Sequence, residues 1–305
     1  MRLALCLTAV IVLGFGAHAQ PLPEVPDGAQ AVSLITGEPH FSPAPGPAVL
    51  ERLAMARADY EADPNDADHL IWYGRRVAYA GDYRSAIAIF SEGIGKFPGD
   101  ARMYRHRGHR YISIREFDRA IADLEKAAAL IEGTENEIEA DGLPNALNIP
   151  VSSLHGNIWY HLGLAYYLKQ DWDNAYRAFK AGYDAGRNDD NRVSTSHWLY
   201  MIKRRSGDEA GAAAVLETIS ADMNVIENMS YHSLCLFYKG EITEDELLGG
   251  GDESSAGSAI AYGAANWHYY NGDVEGADRM LESLLATPGW AAFGHIAAEA
   301  DLAAR

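Results

Sequence analysis

The sequence predicts an all-α protein: an α-solenoid of stacked helix–turn–helix units with a C-terminal capping helix. Three observations carry that expectation. A small or polar residue followed by an acid recurs as Gly81-Asp82, Arg115-Glu116, Gln170-Asp171, Gly207-Asp208, Gly240-Glu241 and Gly272-Asp273, at spacings of 34, 55, 37, 33 and 32 residues. All but one spacing lie near a single period, as expected of helical pairs that bury their apolar faces only by stacking. Between these dipeptides apolar residues fall at helical intervals. Gly74, Gly108 and Gly163 also recur at one point of three helices, where glycine costs about 1 kcal/mol against alanine unless a partner helix approaches closely.

The first element stands apart from this pattern. Arg2 precedes an almost wholly apolar stretch, Leu3 to Phe15, and Ala17-His18-Ala19 has the small-x-small form of a signal-peptidase site. The stretch is too short to cross a bilayer comfortably, so residues 1–19 read as a cleaved export signal and no integral membrane anchor is expected. Without Arg2 the net charge goes from −18 to −19 (24 basic against 43 acidic residues). Such a surface repels nucleic-acid phosphates, so nucleic acid is not an expected partner. Of the two cysteines only Cys235 then remains, in the apolar run Ser233-Leu-Cys-Leu-Phe-Tyr238, where a buried, inert thiol is expected.

Residues 20–47 carry seven prolines and read as an extended lead-in rather than a packed unit. The helical repeat domain is expected over 48–305. Leu50, Leu53, Ala54 and Tyr60 give its first helix an apolar stripe, which Pro64 ends. The acid of each dipeptide is expected to cap the second helix of a pair, with the residue before it freeing the turn.

The pattern resembles the tetratricopeptide repeat (TPR). Copy one, 67–100, carries Leu70, Tyr73, Gly74, Ala86, Phe90 and Pro98 at family positions, with a typical Gly81-Asp82-Tyr83 turn. Copy two, 101–134, matches at Tyr104, Gly108, Tyr111, Ala120, Leu124 and Ala127 but has Glu132 where proline is usual. Copy three, 156–189, matches at Trp159, Leu162, Gly163, Tyr166, Ala175 and Phe179. Copies at 193–225 and 226–257 are degenerate, the latter breaking at a glycine-rich loop from Gly249 to Ser258; a last copy spans 258–289 and keeps Ala265, Ala277 and Leu281. A cap is expected over 290–304 through Trp290, Phe293, Ile296 and Leu302.

The resemblance implies a non-enzymatic scaffold that binds a protein or peptide in the groove lined by the first helix of each pair. Mapped onto this chain, the groove receives Arg75, Tyr79, Arg102, Arg105, His109, Asn157, Tyr160, Tyr167 and His197, with Arg204, Tyr262 and Tyr269 as further candidates. Arg107 and Arg110 are expected to face packing seams or solvent.

The basic run YRHRGHRY at 104–111 has two open readings. Guanidinium forks hold carboxylates in two-point contacts, and neighbouring tyrosines suit a polypeptide, so the run fits a groove for acidic segments. It also fits internal pairing with the acid-rich stretch 132–141 (Glu132, Glu135, Glu137, Glu139, Asp141), which opens the insertion of about 21 residues behind the 55-residue spacing. No HExxH, GxSxG, phosphate-binding loop or paired-cysteine metal motif occurs, and no cofactor is expected. The rival reading is a metal-assisted hydrolase or enzyme accessory built on His106, His109, Asp141 and Asn145. Export points to the periplasm first and the extracellular space second.

Overall fold

In a computed structural model, which describes residues 21–249 and 255–305, fourteen helices stand beside one two-stranded hairpin among those residues. The leader over 1–19 and residues 250–254 of the glycine-rich break lie outside the described residues. The hairpin pairs β1 (Ala31–Val32) with β2 (Pro39–His40), and α1 (Pro47–Ala62) follows. The helix pairs are then α2 (Ala67–Tyr79) with α3 (Tyr83–Lys96), α4 (Ala101–Ser113) with α5 (Phe117–Leu130), and α6 (Leu154–Leu168) with α7 (Trp172–Ala185). They continue as α8 (Asp189–Arg205) with the short α9 (Glu209–Leu216), α10 (Met229–Lys239) with the shorter α11 (Glu244–Leu248), and α12 (Ser255–Tyr270) with α13 (Val274–Leu285). The chain ends in α14 (Phe293–Ala303). No helix among the described residues is long and apolar enough to cross a membrane.

The repeat dipeptide works through backbone geometry. Its first residue has positive φ at all six positions: Gly81, Gly207, Gly240 and Gly272, but also Arg115 (67°) and Gln170 (57°). Asp82, Asp171, Asp208 and Asp273 then cap the next helix by accepting backbone N–H bonds. Two acids depart from the expected role. Glu116 occupies the cap of α5 without a side-chain bond, its longer chain pairing with Arg119 instead, and Thr243 rather than Glu241 caps α11.

The three helical glycines sit where helices touch. A Cβ on Gly74 would lie 2.6 Å from the Phe90 ring, on Gly108 2.7 Å from Leu124 and on Gly163 2.6 Å from Phe179. Each contact joins the two helices of one pair, and the facing side chains are fully buried in the core. Cys235 is buried in the same core, its thiol donating to the Val193 carbonyl, and burial drives its pKa upward.

Three expectations about local structure are refined. Residues 21–46 are mostly exposed but anchored at several points: Ala29 and Ala31 are buried, Ser42 donates to Gly81 O at 2.7 Å, and Arg84 binds the Gln30 side chain and carbonyl. The stripe on α1 is half realised: Leu53 and Tyr60 pack on the α2–α3 core, Leu50 and Ala54 are exposed, and Ala56, outside the stripe, is the one fully buried residue of the helix. Residues 255–258, expected in a loop, already belong to α12. The cap helix α14 covers the α12–α13 pair and also reaches across the inner layer. Phe293 packs on His109, Tyr160 and His161, Asp301 pairs with Arg205, and Glu299 pairs with Arg115 and His40. The two ends of the described chain therefore meet on the inner face of the solenoid.

Candidate functional site

The first helices α2, α4 and α6 present their inner faces to one another, and the insertion of residues 131–153 folds over them. The insertion is anchored at both sides. Glu139 N donates to Ser152 O and Leu154 N to Glu137 O, while Asn136 accepts from His155 N. Arg76 of α2 donates to Gly142 O at 2.9 Å, and Gly142 packs directly on the Tyr79 hydroxyl. The far wall comes from Asp190, whose buried carboxylate accepts the backbone N–H groups of Ile226, Glu227 and Asn228.

Beneath the insertion lies a chamber of about 150 Å³ bordered by Arg75, Arg105, Arg110, His106, His109 and Glu139, among others. Asn157, Val151 and Ser152 border it and also a second cavity of about 400 Å³, which Tyr160, His161, Asn191 and Phe293 help to line. Arg105 Nη2 lies 3.1 Å from Glu139 Oε2, and Asn157 donates to the same oxygen. Arg105 also contacts His106 Nδ1 at 2.7 Å. Arg75 stacks on Trp72, with its guanidinium carbon 4.2 Å from the ring centroid, and reaches Tyr79 Oη at 3.4 Å. Arg110 lies over the Tyr83 ring at 5.4 Å.

Burial dominates the electrostatics. It pushes the Arg110 pKa down to about 10, with Arg105 and Arg75 adding to the effect. It also holds His106, His109 and His161 well below their usual value, again helped by the surrounding arginines. The imidazoles in this chamber are therefore neutral at pH 7, and the positive charge belongs to the guanidiniums.

The sequence-predicted site residues divide. Arg75, Tyr79, Arg105, His109 and Asn157 border the chamber, and Tyr160 borders the adjoining cavity. Arg102 does not; it is held by its own helix-capping residue Asp100 and by Asp68. Tyr167 and His197 are core residues, because the inner layer closes over them. Tyr167 bonds Tyr262 and Asn266 in a buried network, and His197 stacks on Tyr231 and Tyr238. Tyr262 is buried in that network, while Arg204 and Tyr269 pack with Tyr270 and Arg205 respectively.

Arg107 faces a packing seam, pairing with Asp123 at 2.7 Å. Arg110, expected in a seam or in solvent, lines the chamber instead. It lies four residues from His106, on the same side of α4, and that spacing is the sequence signal for its position. Of the insertion acids, only Glu139 meets an arginine; Glu132, Glu135 and Glu137 are exposed.

The proposed hydrolase residues are dispersed in role. His106 stacks on Phe90, His109 on His161, Asp141 caps the Leu143 amide, and Asn145 ties the insertion to Glu227. Among the described residues no group of three or more His, Cys, Asp or Glu side chains is arranged to hold a metal ion.

Comparisons with known proteins agree with this helical layout. No protein-family model matches the chain. A 113-residue stretch, 36% of the chain, is 27% identical to tetratricopeptide repeat protein 28 of Mus musculus; that match spans only 5% of the mouse protein. A chain of the APC/C hetero-tetramer Cut9–Hcn1 is similar over 78% of this chain and 43% of its own, at 13% identity and a TM-score of 0.50. YrrB, described as a TPR protein with an unusual peptide-binding site, is similar over 75% of this chain and 90% of its own, at 16% identity and a TM-score of 0.43. The fold is a TPR-like α-solenoid. At these identities the likeness to solved structures is one of fold alone.

Proposed function

We propose that the chain is a non-enzymatic, TPR-type scaffold that binds another protein or peptide through the partly basic inner face around Arg75, Arg105 and Arg110. The observation that carries this reading is the Arg105–Glu139 pair. A carboxylate of the chain's own insertion already occupies the position that an acidic partner segment would take, and the tether keeps it at high effective concentration. The same pair accommodates both sequence-level readings of YRHRGHRY, because an internal ligand also competes with external ones. The apolar leader and its small-x-small site support export, with the periplasm as the preferred compartment.

The test is fluorescence anisotropy with a short labelled polyglutamate peptide. Glu139→Gln tightens binding, Arg105→Glu weakens it, and both differences shrink as salt rises. If Glu139→Gln leaves binding unchanged while lowering thermal stability, the pair is structural and the proposal fails.

A further inference from the structure

Three guanidiniums border the inner chamber, but only one has an anionic partner. Arg105 meets Glu139; Arg75 has a π-face and one long hydrogen bond; Arg110 has the Tyr83 ring. The Nε atoms of Arg75 and Arg105 are buried without a hydrogen-bond partner. Asp141 and Glu227 also border the chamber. Neither comes within ion-pair distance of an arginine, and each already accepts a bond inside the insertion, Asp141 from Leu143 N and Glu227 from Asn145. The lining as a whole balances, three guanidiniums against Glu139, Asp141 and Glu227, but the guanidiniums stand together on the α2–α4 wall and only Glu139 reaches one of them. Guanidinium groups withdrawn from water are costly unless an anion meets them, so this wall is built for more negative charge than Glu139 supplies.

We propose that this chamber binds the oxyanion head, carboxylate or phosphate, of a small organic acid, whose body lies in the adjoining cavity. The inference rests on the inner face being a binding surface but does not need a protein partner. Size and closure favour a small molecule. A volume of about 150 Å³ admits one oxyanion group, and the Arg76–Gly142–Tyr79 contacts hold the insertion over it, so a peptide needs the insertion displaced whereas a small acid does not. The adjoining cavity supplies mostly polar and aromatic walls, including the buried, unpartnered Asn191 Oδ1 and the rings of Tyr160 and Phe293; its charged lining residues are Arg187 and Asp190, whose carboxylate is already taken by three backbone N–H groups. Forked donors suit both carboxylate and phosphate, so the two sources share one chemistry.

The test is thermal unfolding of the full chain in inorganic phosphate or succinate, at ionic strength matched with sodium chloride. Either anion at about ten times its dissociation constant raises the midpoint by roughly 2–4 °C, and the arm that responds identifies the head group. Arg110→Gln abolishes the rise. Where that variant does not fold, Arg110→Lys keeps the charge but loses the fork, and weakens calorimetric binding at least several-fold. A midpoint that neither anion moves overturns the proposal, as does a rise that persists in the folded Arg110 variants. Polyglutamate binding without any response to phosphate or succinate also overturns it, yet leaves the scaffold reading standing. Anion binding without peptide binding supports it and removes that reading instead.

Discussion

Arg115 and Glu299 are 184 residues apart and form a buried ion pair at 2.8 Å. Arg115 occupies the turn position that four other repeats give to glycine, at φ 67°, a conformation costing a non-glycine residue about 1–2 kcal/mol. The side chain justifies the strain by donating also to the carbonyls of Ser113 and Trp290. Arg115→Gly relaxes the backbone but leaves Glu299 buried beside His40 alone. The expected outcome is a net loss of about 2–4 kcal/mol, read by urea unfolding. A variant as stable as the parent would show that the turn prefers glycine and the pair is incidental.

Glu299 also predicts an acid limb. Burial raises its pKa, but the His40 and Arg115 contacts outweigh burial and hold it below the usual carboxylate range. Its contribution is therefore present above the unfolded value near 4.5 and lost as pH falls through the folded one. In Glu299→Gln the unfolding midpoint falls less steeply below pH 4.5 than in the parent.

The buried histidines act at higher pH. Burial pushes His197 down to about 3 and His295 to about 4, and holds His106, His109 and His161 well below the normal range. Below about pH 6.5 the unfolded chain takes up protons that the folded chain refuses, so stability falls as pH falls from there toward the folded values. Each such group contributes up to about 1.4 kcal/mol per pH unit. The midpoint should drop between pH 7 and pH 5, and His197→Phe should flatten that slope. A flat profile in the parent would mean that the imidazoles are solvated.

Two glycine substitutions have opposite signs. Gly163→Ala places a methyl 2.6 Å from the Phe179 ring and forces overpacking worth about 1–3 kcal/mol, against a helix-propensity gain of about 1 kcal/mol. Gly95, also helical, has no atom within 4 Å of an added Cβ, so Gly95→Ala keeps the propensity gain alone. Calorimetric midpoints moving down and up respectively are expected; equal shifts would remove close approach as the reason for the repeat glycines.

The fold was legible because a solenoid repeats its instructions locally: the capping aspartates, the positive-φ turn and the packed glycines all lie within one period. The site was only half legible for the opposite reason. Arg75, Arg105 and Asn157 follow from repeat position. The burial of Tyr167 and His197 depends on long-range packing across the inner layer, which no local period encodes. The contacts of the lead-in with α3 and α14 have no local signature, because prolines mark an absence of regular structure, not an absence of contacts.

The insertion yields the last prediction. Residues 142–150 expose Leu143, Leu147 and Ile149, so burial of those side chains does not order the segment. Asn145 does. Its amide donates to Ile149 O at 2.6 Å and to Glu227, and its carbonyl accepts from Leu147 N and Ile149 N at 3.1 and 3.2 Å. One side chain thus closes the turn on itself and ties it to the segment that Asp190 holds. Asn145→Ala removes all four bonds from a partly exposed site, so the global cost stays near 1 kcal/mol while local opening becomes easier. Hydrogen exchange should quicken in residues 143–149 and spread to 139–142, with the core helices unchanged. Asn145→Asp keeps the carbonyl contacts but faces Glu227, and should fall between the two. Unchanged exchange in Asn145→Ala would show that the other anchors, Arg76, the Tyr79 contact and the Glu139 bonds, suffice to hold the insertion over the chamber.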